Sequence, residues 1–169
     1  THGQPATTTT LGKELAVFVS RVEREIALIK KIKLLAKLSG ATGSYAAHKV
    51  AFPDFNWPLF SKRFIKKLGL EQSPISTQVE PGDSLAELLH SFVRINNIFS
   101  DFSLDMWLYI SRNIFVQKNI VGEVGSSTMP HKINPIFFEN AEGNLDIANN
   151  NFSFLASRII RSRLQRDLS

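Results

Sequence analysis

The sequence predicts an all-α protein built from long helices that run antiparallel to one another. Three observations predict it. Apolar residues recur at helical spacing through three long stretches. Segments rich in Gly, Pro, Asn and Asp separate those stretches. The alternating pattern of a half-buried strand is weak everywhere.

The first stretch follows four threonines at residues 7–10, whose hydroxyls suit the free N–H groups at a helix start. Leu11, Leu15, Val19, Val22, Ile26, Ile29 and Leu35 then repeat at helical spacing. Lys13, Glu14, Arg21, Glu23, Arg24, Lys30, Lys31, Lys33 and Lys37 hold the other face. This reads as one long amphipathic helix ending near Gly40, its lysines a solvated face rather than a nucleic-acid patch. Residues 39–58 read as a loop, interrupted by Gly40, Gly43, Pro53, Asp54, Asn56 and Pro58. Residues 60–68 form a short helix stopped by Gly69, and residues 70–83 are irregular again, with Pro74, Pro81 and Gly82.

A second long helix is predicted over about 84–119. Its apolar residues, from Leu85 and Leu89 to Trp107 and Ile110, occupy more than one face, as in a helix buried on several sides. Phe92, Phe99, Phe102 and Trp107 are therefore expected in the core. Pro135 suits the first position of a third helix running to about residue 157. Such broad apolar surfaces on three helices predict oligomerisation.

The chain has 169 residues, 43% of them hydrophobic, enough for one domain with a real core. No stretch reaches the roughly 18 apolar residues of a spanning helix, and no secretory signal is visible. Cys is absent, which rules out disulfides and thiolate metal sites and fits a cytoplasmic protein. The net charge of +5 suits nucleic acid or small anionic substrates. The basic residues are dispersed among acids, which favours the second.

The chemistry concentrates in residues 125–140, Gly-Ser-Ser-Thr-Met-Pro-His-Lys-Ile-Asn-Pro-Ile-Phe-Phe-Glu-Asn. Gly125, Pro130 and Pro135 make its first part a loop. Ser126 and Ser127 fit two readings, a turn that bonds its own backbone or a base whose alkoxide is stabilised by Lys132 and loop amides. Lys132 and Asn134, two residues apart, offer a cation and an amide to a carboxylate. Glu139 fits an ordinary first-turn glutamate or a partner for a histidine. A histidine such as His2 is the residue type suited to a general acid near neutral pH. His48 and His90 say little.

The run resembles the signature loop of the fumarase/aspartase superfamily, Gly-Ser-Ser-x-Met-Pro-x-Lys-x-Asn-Pro, with every fixed position filled. Residues 1–5, Thr-His-Gly-Gln-Pro, resemble a second block of that superfamily. The Met-Pro-His-Lys variant, residues 138–145 and residues 162–168 together resemble the bacterial adenylosuccinate lyase branch, in the expected order along the whole chain. Two other readings are a cycloisomerase or other lyase of the superfamily and a non-catalytic structural homologue.

The resemblance implies that residues 1–169 are the central helical-bundle domain of a longer chain. Thr1 at the start and Ser169 at the end, both inside motifs, prompt the same expectation; the N-terminal and C-terminal domains would be absent. It implies β-elimination of fumarate from succinylated purine nucleotides, with His2 as general acid and Ser126 as general base. Thr1, Gln78, Ser127, Met129, Lys132, Asn134, Asn140, Arg166 and Ser169 would bind substrate, and Glu139 would support the site. Arg163 and Arg166 resemble the phosphate-binding segment. The implied partners are the small-molecule substrate and three further copies in a homotetramer with shared sites. No metal, organic cofactor, nucleic acid or membrane is implied.

Overall fold

The computed structural model describes residues 3–118, 128–129 and 131–166. It contains α1 (Leu11–Ile29), β1 (Leu35–Ala36), α2 (Ala46–Ala51), α3 (Trp57–Lys67), β2 (Glu71–Gln72), α4 (Asp83–Ser111), α5 (Ile136–Ile159) and a 3-10 turn (Arg163–Gln165). The fold is helical, and its only described sheet is a parallel pair of two-residue strands. No helix among the described residues is long and apolar enough to cross a membrane.

Three long helices form as predicted, with two boundary corrections. The first helix stops at Ile29, not near Gly40. Lys31 and Ile32 N–H donate to Leu28 and Ile29 carbonyls in tight turns. Leu34 and Ala36 then give their carbonyls to Glu71 and Ser73 N–H. Pairing with a distant segment therefore takes Leu35 out of the helix that its spacing suggests. The second helix ends at Ser111, eight residues early. Asn113 is left-handed (φ 57°), its N–H donating to Ile110 O and that of Ile114 to Tyr109 O. This is a Schellman stop, with Phe115 packed edge-on against Tyr109.

The other ends follow local chemistry. Asn56 caps α3 by accepting from Leu59 N–H at 3.0 Å. Gly69, at φ +78°, stops it as predicted. Pro135 sits one residue before α5, its carbonyl accepting from Phe138 and Glu139 N–H. Residues 39–58 are not all loop, because α2 forms there and Trp57 packs edge-on against His48 and Phe55.

The chain divides into two compact units, residues 1–27 with 93–150 and residues 28–92 with 151–169. In the first, α1 and α4 are antiparallel. Arg94 Nε donates to the buried Glu25 carboxylate at 2.8 Å, Arg21 pairs with Asp101, and Phe18 meets Phe102 edge-on. In the same unit α4 runs antiparallel to α5, Asn149 bonding Asn97 and Glu139 bonding Trp107. In the second unit Ala86, Leu89 and Ala156 form a core closed by Phe92, Phe152 and Ile159.

The expectation that all four α4 aromatics are core holds only in part. Phe92 packs against that core, whereas Phe99 is 45% and Trp107 39% exposed. Their periodicity records an apolar face without recording what covers it.

Candidate active site

The two residues of central chemical interest, His2 and Ser126, lie outside the described residues, as do Thr1, Ser127 and Ser169. The described candidates fall in two groups, one per unit.

In the first unit the loop reaches α5 through Met129, Lys132 and Asn134. Lys132 N–H donates to Met129 O at 3.2 Å, and Gln117 Nε2 donates to Ile133 O at 3.1 Å. That second bond holds the loop end between its two candidate ligands. Lys132 is exposed and Asn134 half-buried. Neither side chain has a hydrogen bond or ion pair among the described residues, which leaves a cation and an amide for an incoming carboxylate.

Glu139, in the first turn of α5, accepts from the Trp107 indole at 2.9 Å. It thus combines the favourable end of a helix dipole with a fixed neutral donor. The histidine partner weighed from the sequence is not among the described contacts. One turn on, Asn144 Nδ2 donates to Asn140 O (2.9 Å) and Oδ1 (2.8 Å). The Asn140 carbonyl oxygen is thereby occupied and its amide N–H groups are turned to the role of donor.

In the second unit the structure brings Gln78 and Arg166 into one cluster. The Thr77 hydroxyl donates to Gln165 O, and Val79 N–H donates to the same oxygen at 3.4 Å. Gln78 stands between them with its side chain exposed. Arg166 directly follows Gln165, also exposed, its Nη1 on Leu164 O at 3.0 Å. Leu164 and Gln165 both have positive φ, 53° and 54°. Two such residues in succession cost free energy and persist only where the surroundings hold them, here the bonds from Thr77 and Val79.

Sequence reasoning missed what holds this cluster. Lys37, assigned to a solvated helix face, is half-buried and donates to Gly40 O (2.6 Å), Thr77 O (2.9 Å) and Gln78 O (2.7 Å). Burial lowers its pKa from the ordinary lysine value. Gly43, at φ +74°, lies so close to the same segment that a Cβ would sit 1.8 Å from Ser76 O. The available signal was the failure of helical spacing after Leu35, just before Gly40 and Gly43.

Comparison with known proteins fits this arrangement. Residues 1–146 match the family described as Lyase. The chain belongs to that family, within the helical fumarase/aspartase superfamily. It is 50% identical over 169 residues to adenylosuccinate lyase of Escherichia coli (strain K12) and 51% identical over 169 residues to that of Legionella pneumophila (strain Corby). Over 170 residues it is 50% identical to adenylosuccinate lyase of Vibrio cholerae serotype O1 (strain ATCC 39541). Each match covers 100% of this chain and 37% of the relative, so the chain spans little more than a third of the length of the curated relatives it matches.

Proposed function

We propose that the chain is the central helical domain of an adenylosuccinate lyase, eliminating fumarate from adenylosuccinate to give AMP and from the succinylated aminoimidazole carboxamide ribotide. The observation that carries this reading is the joint one: a fully populated signature loop at 125–135 within a chain about half identical, end to end, to enzymes of that name.

In the proposed reaction Ser126, as alkoxide, takes the proton from the succinyl carbon next to a carboxylate. The electron pair spreads into that carboxylate as an aci-carboxylate dianion, stabilised by Lys132, Asn134 and loop amides. The pair then forms the fumarate double bond as the C–N bond breaks, and His2 protonates the departing nitrogen. Gln78 and Asn140 orient the succinyl and base portions, with Thr1, Ser127 and Met129 around them. Arg166 and Ser169 take the phosphate, for which an exposed guanidinium is suited. Glu139 supports the site through α5 and Trp107. No step requires a metal or an organic cofactor.

The active form in this reading is a cytoplasmic homotetramer whose sites are shared between copies. An apolar groove of about 410 Å³ in the first unit, lined by Leu15, Phe18, Val22, Phe99, Phe102 and Met106, supports a multimeric assembly. The test is fumarate release by the full-length enzyme from adenylosuccinate, with argininosuccinate as control. Release from adenylosuccinate alone is expected. No release from a folded tetramer returns the chain to the cycloisomerase or structural-homologue reading.

A further inference from the structure

We infer that Lys37 is a positioning residue for substrate binding, a tripod that sets the Gln78 main chain and, through it, the turn carrying Arg166. The inference rests on the proposed role of Gln78 as a substrate contact.

A lysine ammonium has three donor hydrogens and no acceptor. All three are used here, each on a different carbonyl: Gly40 at 2.6 Å, Thr77 at 2.9 Å and Gln78 at 2.7 Å. No carboxylate pairs with Lys37 among the described residues, and there its charge is met by three main-chain dipoles. Such charge-assisted bonds are about twice as strong as neutral ones. Their effect is geometric. Residues 76–78 lie between elements and have no helical or strand bonds of their own, so their path is set by what ties them down. On one side the Lys37 head, the Ser39–Ser76 hydroxyl contact at 3.1 Å and the close approach of Gly43 hold the segment. On the other, Thr77 and Val79 hold Gln165. The Gln78 carbonyl points at Lys37 while its side chain stays exposed. One cation thus fixes the main chain under one candidate ligand and braces the left-handed turn before the other. Lys37 is joined to the proposed substrate contact only at the Gln78 main-chain carbonyl, so the role assigned to it is positioning and not catalysis.

The test is a double-mutant cycle in the full-length enzyme, Lys37→Met against Gln78→Ala, reading KM and kcat for adenylosuccinate separately. Misplacing a ligand by about 1 Å costs on the order of 10²-fold. Lys37→Met is therefore expected to raise KM by about 10- to 100-fold, with a smaller change in kcat. In the Gln78→Ala background the same change should add little, since the residue it positions is gone. Lys37→Arg keeps the charge on a longer planar head and should give an intermediate rise, about 3- to 10-fold. It also carries the test if the methionine variant does not assemble. A lowered Tm with KM unchanged in the assembled variant, or losses that multiply in the cycle, overturns the proposal. If Gln78→Ala alone leaves KM unchanged, the substrate role of Gln78 fails and this inference fails with it. If Gln78→Ala raises KM and neither Lys37 variant does, only the role of Lys37 fails.

Discussion

Asp105 shows how a single side chain on α4 carries a penalty. Its pKa is raised, first by burial and then by the neighbouring charges of Asp101 and Glu14. Arg21 pairs with Asp101 and not with Asp105. A carboxyl whose folded pKa lies above its unfolded value binds its proton more tightly when folded. Stability therefore falls as pH rises from the ordinary carboxylate range through the raised folded pKa, and the penalty is complete above it. Asp105→Asn should raise Tm by about 1–3 °C at pH 7 and give no gain at a pH below the ordinary carboxylate range. Thermal unfolding at the two pH values checks this; an equal gain at both contradicts the electrostatic cause. Only part of this was legible in the sequence, because the spacing 101–105 shows a like-charge pair on one helix but neither the burial nor the Glu14 of α1 that adds to it. The site residues divide the same way. A motif such as 125–135 is local and can be read directly. The Lys37 tripod joins residues 40 positions apart, and only the fold reveals it.

The long helices were legible because each carries a broad apolar face at its own period. Their ends were legible only where the stop is local. Gly69 could be read, and Asn113 was overlooked although Asn is the residue other than Gly that most readily takes the left-handed stop. The end of α1 could not be read, since the bonds that replace its last turns come from Glu71 and Ser73. Between α1 and α4 the contact most exposed to mutation is Glu25, 5% exposed, with its carboxylate on Arg94. Arg94→Met would leave a buried carboxylate without its cation, costing about 3 kcal/mol. Adding Glu25→Met to Arg94→Met should recover most of that loss, because two apolar side chains need no partner. Urea unfolding at constant m-value measures both; a double variant no more stable than Arg94→Met contradicts the account.

At the scale of the whole molecule, exposed Val17, Val19, Phe99, Phe137, Ile147 and Phe154 form apolar surface on the three long helices. Surface of this kind is typically an interface, and the proposed tetramer uses it to bring residues of separate copies into one site. If His2 and Ser126 serve the same site from different copies, a fault in one can be complemented by a copy with a fault in the other. The most direct test is fumarate release by full-length Ser126→Ala and His2→Ala enzymes, assayed separately and then after dissociation and equimolar reassembly. The account predicts that each alone is inactive and that random mixing restores about one quarter of wild-type activity, the share of sites receiving both intact residues. Mixed tetramers that form and release no fumarate would contradict it.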